Sequence, residues 1–148
     1  VGVDTHAKRA AHQISLLKAY LLGDRLLAPR FVQDVQHNFV HWLVHRQFAY
    51  YGTILHAYAN LGSDNLILQV LVDVYCKEFT IMHDGSEDNH FQFPDQLPGQ
   101  FVFDVASRFS KLRGKYAGDI ELEEECYYHE HKSDEEKKRC RAGDEKTE

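Results

Sequence analysis

The chain has 148 residues, 43% of them apolar and 27% charged, with a net charge of −6; it is one domain's worth, able to bury about two-thirds of the surface its unfolded form exposes. Residues 1–118 carry 11 acidic and 11 basic side chains, whereas residues 119–148 carry 12 and 6, and a neutral body with no basic stripe argues against nucleic acid as the main partner. No apolar run reaches the roughly 18–20 residues a membrane helix needs, and three cysteines with no N-x-[ST] acceptor suit a reducing, intracellular compartment, nucleus or cytoplasm.

The first residue is Val1 rather than Met, so a piece of a longer protein is expected. In "HQISLLKAYLLGDRLLAP", Ile14, Leu17 and Leu21 recur at helical spacing with Leu16 and Tyr20 beside them, which predicts a first helix. Pro29 opens a second, where its missing N–H costs nothing. Its apolar stripe is Phe31, Val35, Phe39 and Trp42, with Val32 and Leu43 beside them. A third helix carries Ile54, Leu55, Tyr58 and Leu61 and stops at Gly62, a good C-terminal cap. Ser63-Asp64 is the expected N-cap of the next segment. That segment is Val- and Ile-rich enough for a buried strand, but Asn65, Gln69, Asp73 and Lys77 are spaced by four, one seam on a helix. Asp73 and Lys77 also have the acid-first order of an i,i+4 pair. Residues 80–100 read as a loop, marked by Asp84-Gly85, Pro94 and Pro98, and "DGSEDN" at 84–89 as a turn rather than a calcium loop. A last helix has Leu97, Phe101, Val105, Phe109 and Leu112 on one face and ends at Gly114. The fold class is therefore all-α, a small bundle of about five helices, followed by a charged tail with the composition of a solvated segment.

The order "LLKAYLLGDRLLAPRFVQDVQ", "ILHAYANLGSDNLILQVLVDVY", "LPGQFVFDVASRFSKLR" resembles the region that follows the core of fungal BTB/POZ-domain proteins. The resemblance covers about Ile14 to Arg113. It implies that residues 1–45 are the last helical pair of a BTB domain, that 46–114 are a BACK-like extension, and that 115–148 are an acidic Cys/His-containing tail. It further implies a non-enzymatic adaptor with protein partners, a cullin-type ubiquitin ligase or a transcriptional complex among them. Self-association would run through a BTB core upstream of Val1.

The tail holds "CYYHEHKSDEEKKRC" from Cys126 to Cys140. Cys126, His129, His131 and Cys140 make a C₂H₂ set, one of the donor sets of a closed structural zinc site. Residues two apart on an extended chain point to the same side, and the long gap to Cys140 lets the chain return. A continuous helix would spoil this, because His131 lies about 140° around the axis from Cys126 at the usual pitch. Yet Asp134–Lys138 and Glu135–Arg139 are acid-first i,i+4 pairs that favour a helix, so the two readings compete. Zinc in this set would create a recognition surface and leave no open position for hydrolysis. His37, His41 and His45, spaced by four, read as the polar face of the second helix, since no carboxylate is placed as in H-E-x-x-H. Cys76 reads as a small core residue, and "KKRCR" at 137–141 as a weak nuclear-import patch. Tyr50, Tyr51, Phe91 and Phe93 are the aromatics best placed for a partner-facing patch.

Overall fold

The computed structural model describes residues 2–46, 48–78, 95–112 and 121–144. Among them the chain is all-helical: α1 (Gly2–Arg25), α2 (Pro29–Arg46), α3 (Tyr51–Asn60), α4 (Leu66–Glu78), α5 (Gly99–Lys111), a 3-10 turn (Glu125–Tyr128) and α6 (Asp134–Asp144). The five helices expected of the body are α1–α5. The turn at 84–89, Phe91, Phe93 and Gly114 lie outside the described residues. No described helix is long and apolar enough to cross a membrane.

One core joins the pieces. Leu17, Phe39, Leu43, Ile54, Ile67, Leu71, Phe101 and Tyr128 are all buried in the same cluster, so it draws on α1 through α5 and on the 3-10 turn. α4 is the central helix expected of the most apolar run, with Ile67, Leu68, Val70, Leu71, Val72, Val74 and Cys76 all buried. Cys76, wholly enclosed, is the small core residue anticipated.

Several local expectations shift. α1 starts at Gly2 rather than near His12; the added turns include the strong helix formers Ala7, Lys8, Arg9, Ala10 and Ala11, and His6 Nδ1 lies 3.0 Å from the Tyr50 hydroxyl. On α2 the stripe is buried at Phe39 and Leu43, and Val32, Val35 and Trp42 pack partly buried against the core, but the buried face also takes in Gln36 and Val40 and leaves Phe31 exposed. The N-cap of α4 is Asn65, not Ser63-Asp64: its Oδ1 accepts the Ile67 N–H at 2.9 Å, the usual cap bond. Gly62 follows the end of α3, but the chain there stays extended at Leu61 (φ −106°, ψ 148°) and Gly62 itself lies outside the left-handed region. Tyr50 is buried, and Tyr51 meets Tyr75 hydroxyl to hydroxyl at 3.1 Å. Neither forms the patch expected of them.

The left-handed residue is instead Leu27, at φ 53°. It closes α1 with two bonds, Ala28 N–H to Gly23 O and Leu27 N–H to Asp24 O, both 3.1 Å. This is the Schellman pairing with leucine where glycine is usual. The turn lets α2 fold back on α1 so closely that a Cβ on Gly23 would sit 2.6 Å from Phe31 Cδ1 and 2.9 Å from Val32 Cγ2.

Candidate metal centre

Two buried glutamines explain how extended chain is held among helices. Gln13 donates to the Phe48 carbonyl at 2.8 Å and accepts from the Tyr50 N–H at 3.0 Å, fixing the α2–α3 connection. Gln36 repeats the device on the C-terminal segment. It donates to the Tyr128 carbonyl at 2.6 Å and accepts from the Glu130 N–H at 3.4 Å. An extended segment brings its own unsatisfied backbone groups, and a primary amide offers one donor and one acceptor to meet them.

The polar seam of α4 is the other half of the dock. Tyr128, fully enclosed, donates to Asp73 Oδ2 at 2.8 Å. Asp73 also pairs with Arg108 of α5 at 2.7 Å, rather than with Lys77 one turn away. Gln69 donates to the Tyr127 hydroxyl at 3.1 Å, and Asn65 to the Tyr20 hydroxyl at 3.2 Å. Tyr20 in turn donates to Glu130 Oε1 at 2.8 Å. Residues 125–131 are thus seated on α1, α2 and α4, and the solvated reading of the segment does not hold for them.

α6 then starts at Asp134, past His131, so helix and ligand cluster coexist. Its start is a variant of the capping box: Ser133 Oγ accepts the Glu136 N–H at 3.2 Å, and Glu136 Oε2 accepts the N–H of Lys132, the residue before the cap, at 2.7 Å. The Ser133-x-x-Glu136 pattern is a signal in the sequence that could have located this boundary. Gln33 donates to Glu136 Oε1 at 2.6 Å and joins α6 to α2.

This arrangement brings three of the four candidate ligands together, with the fourth beside one of them. Cys126 and His129 are buried at the 3-10 turn, and Cys140 is half-buried on α6. Ligand atoms of Cys126, His131 and Cys140 all lie within 4.8 Å of one another, with His129 outside that set. Cys126 Sγ is 3.7 Å from His131 Nε2, and His129 Nδ1 is 3.2 Å from Cys140 Sγ. With ordinary Zn–S and Zn–N bonds, the sulfur-to-nitrogen edge of a tetrahedral site is about 3.6 Å. Cys126, His131 and Cys140 therefore stand near the spacing of a tetrahedral soft-metal site, whereas His129, which meets only Cys140 among them, would have to move closer to the other two to close the fourth corner. Cys126 Sγ also lies 3.7 Å from the Lys137 carbonyl.

The surroundings of His131 favour the neutral form that can ligate. Burial, then the neighbouring His129 and His37, hold His131 below the usual histidine range. Burial and His129 do the same to His37, whose ring stacks on that of His129 at 3.9 Å and 13°. His129 Nε2 is buried without a well-aligned hydrogen-bond partner and faces Glu125 Oε1 at 3.5 Å. A carboxylate behind the second nitrogen is what fixes a ligating histidine's tautomer. Burial alone would raise Glu125, but His129 and His41 outweigh it and hold the carboxyl below its ordinary range.

The histidines of α2 need a correction. His41 and His45 are 60% and 61% exposed, as a polar face requires, but they do not merely face solvent. Both converge on Glu125, which sequence spacing gave no reason to place beside them. His37 is covered by His129. Comparison of the chain with protein-family models, with curated proteins and with solved structures gives no match.

Proposed function

We propose that the chain is a non-enzymatic protein-binding module, the helical C-terminal part of a BTB/POZ-type adaptor, whose last segment is fastened to the bundle by one structural zinc ion. Cys126, His129, His131 and Cys140 are the ligands. The observation that carries this reading is the convergence of Cys126, His131 and Cys140 within 4.8 Å of one another, with His129 Nδ1 3.2 Å from Cys140 Sγ. Four protein ligands leave no position for a reacting water, which supports a structural rather than a catalytic ion. The fastened segment lines one side of a cleft of about 440 Å³, where Glu130, His131 and Lys132 face Leu27 and Val32. Leu22, Leu26, Leu27 and Phe31 are exposed at this α1–α2 corner, and apolar surface beside a cleft suits a partner protein's side chains. Zinc bound here would build part of that recognition surface.

Metal content per chain, measured on untagged protein, tests the reading. One tightly held zinc is expected in the wild type and none in the Cys126→Ser/Cys140→Ser variant. Absence of zinc from both, even after incubation with excess metal, would sink it. The adaptor role is tested separately, by pull-down of a cullin with the protein carrying an intact BTB core; repeated failure would leave the transcriptional-complex version.

A further inference from the structure

A second cluster lies on the solvent side of Glu125. His41 and His45 are one turn apart on α2, their rings 4.2 Å apart and tilted by 50°. Glu125 reaches both from the 3-10 turn. His41 Nδ1 is 3.1 Å from Oε1 and 3.2 Å from Oε2, and His45 Nε2 is 3.3 Å from Oε2. The three ligand atoms lie within 4.8 Å of one another.

Each imidazole can satisfy the carboxylate by donating one N–H. The same nitrogens and oxygen also sit at the spacing of a metal's coordination shell, where nitrogen-to-oxygen edges are about 3.3 Å for a tetrahedral ion. Glu125 is held from behind by His129 Nε2 at 3.5 Å, which aims the carboxylate at the surface pair. Two histidines four apart with one carboxylate from another element form a three-ligand set, the number that leaves a coordination position open. Imidazole nitrogens exclude magnesium and calcium as preferred ions and select the first-row divalent metals from cobalt to zinc.

We propose that His41, His45 and Glu125 form a second, exchangeable divalent transition-metal site, open to solvent and separate from the thiolate cluster. Its open position takes water or a donor atom from another molecule. The site does not depend on the structural zinc reading, since none of its three ligands belongs to that set. The two sites are nevertheless linked, because Glu125 serves as ligand to one and as the carboxylate behind His129 in the other. Binding at either therefore changes affinity at the other by the same factor.

Titration of the untagged, metal-free full chain with Co²⁺ tests the proposal, since thiolate ligands give an intense near-ultraviolet charge-transfer band that imidazole and carboxylate ligands lack. The wild type should take up a second, weaker equivalent that adds visible d–d absorption and no charge transfer. His41→Ala/His45→Ala should abolish that equivalent while keeping the charge-transfer band and the helical circular dichroism. Uptake of only one equivalent by the wild type at saturating Co²⁺, carrying the charge-transfer band, overturns the proposal. So does an unchanged second equivalent in the double variant. Failure of the structural zinc reading has its own signature, loss of the charge-transfer band, which leaves the histidine-dependent equivalent countable.

Discussion

Leu27 is held in the left-handed region at φ 53° with its side chain 86% exposed. A leucine there bears a steric cost between Cβ and its own carbonyl that glycine escapes, and its exposure leaves little packing to lose. Leu27→Gly should therefore stabilise the protein by about 0.5–1 kcal/mol, seen as a higher urea midpoint with an unchanged slope. A lower midpoint would mean that the leucine side chain contributes packing the structure does not reveal. The sequence misleads at this scale in a definite way. Gly62 had the residue type for a left-handed cap and does not adopt one, while a leucine in the run "GDRLLAP" does. The fold-back of α2 dictates that turn, because α1 and α2 must approach within reach of Gly23, whose missing Cβ avoids Phe31. Tertiary geometry sets the backbone, and the local residue tolerates it.

Helices α2 to α5 were legible because each carries an apolar stripe at helical spacing, although Phe31 of α2 and Phe109 of α5 end up exposed. The C-terminal segment was not, because it is held by polar pairs rather than by periodic apolar residues. The seam of α4 was visible, and its helical spacing was the right argument for a helix. Nothing in the spacing said that Tyr127 and Tyr128 would come to lie on it. Likewise Gln36 reads as an ordinary polar residue until Tyr128 O and Glu130 N are seen against it. Its replacement measures how far the segment depends on this clamp. Gln36→Ala leaves a buried carbonyl and N–H without their partner, at about 1–3 kcal/mol. The expected result is faster amide exchange and proteolysis within residues 121–144, with α1 and α4 protected as before. Equal loss of protection in α4 would show that the segment and the bundle unfold as one unit. On the zinc reading proposed above, adding zinc to this variant should restore protection in proportion to occupancy, since a ligand of the folded form stabilises it by mass action.

Across the whole molecule, the bundle is organised around buried groups that resist ionisation, and this gives it a definite alkaline limit. Cys76, wholly enclosed on α4, has its thiol pushed from 9.0 to about 12 by burial and then by the nearby Asp73. Tyr58 is raised well above its ordinary 10.0 by burial, then by its hydrogen bond to Asp104 across the α3–α5 contact. In the unfolded chain both groups lose their protons near ordinary values, so above pH 9 the unfolded state binds fewer protons than the native one. The slope of stability against pH is then negative. Stability is full below pH 9, begins to fall as unfolded Cys76 ionises, and falls more steeply above pH 10 as Tyr58 joins. The thiol's share levels off once the folded group ionises near 12. Each group limits its own contribution to about 1.4 kcal/mol per pH unit. Urea midpoints measured at pH 8, 9.5 and 11 should decline in that order, with Tyr58→Phe flattening only the step between 9.5 and 11. Phenylalanine keeps the ring that meets Phe101 edge-on at 5.5 Å and removes only the proton at issue. A Tyr58→Phe chain with the wild-type alkaline slope would mean that the hydroxyl can ionise without leaving its place beside Asp104. The α3–α5 contact would then be loose enough to admit water, and the bundle would be held chiefly by the α4 core and the C-terminal dock.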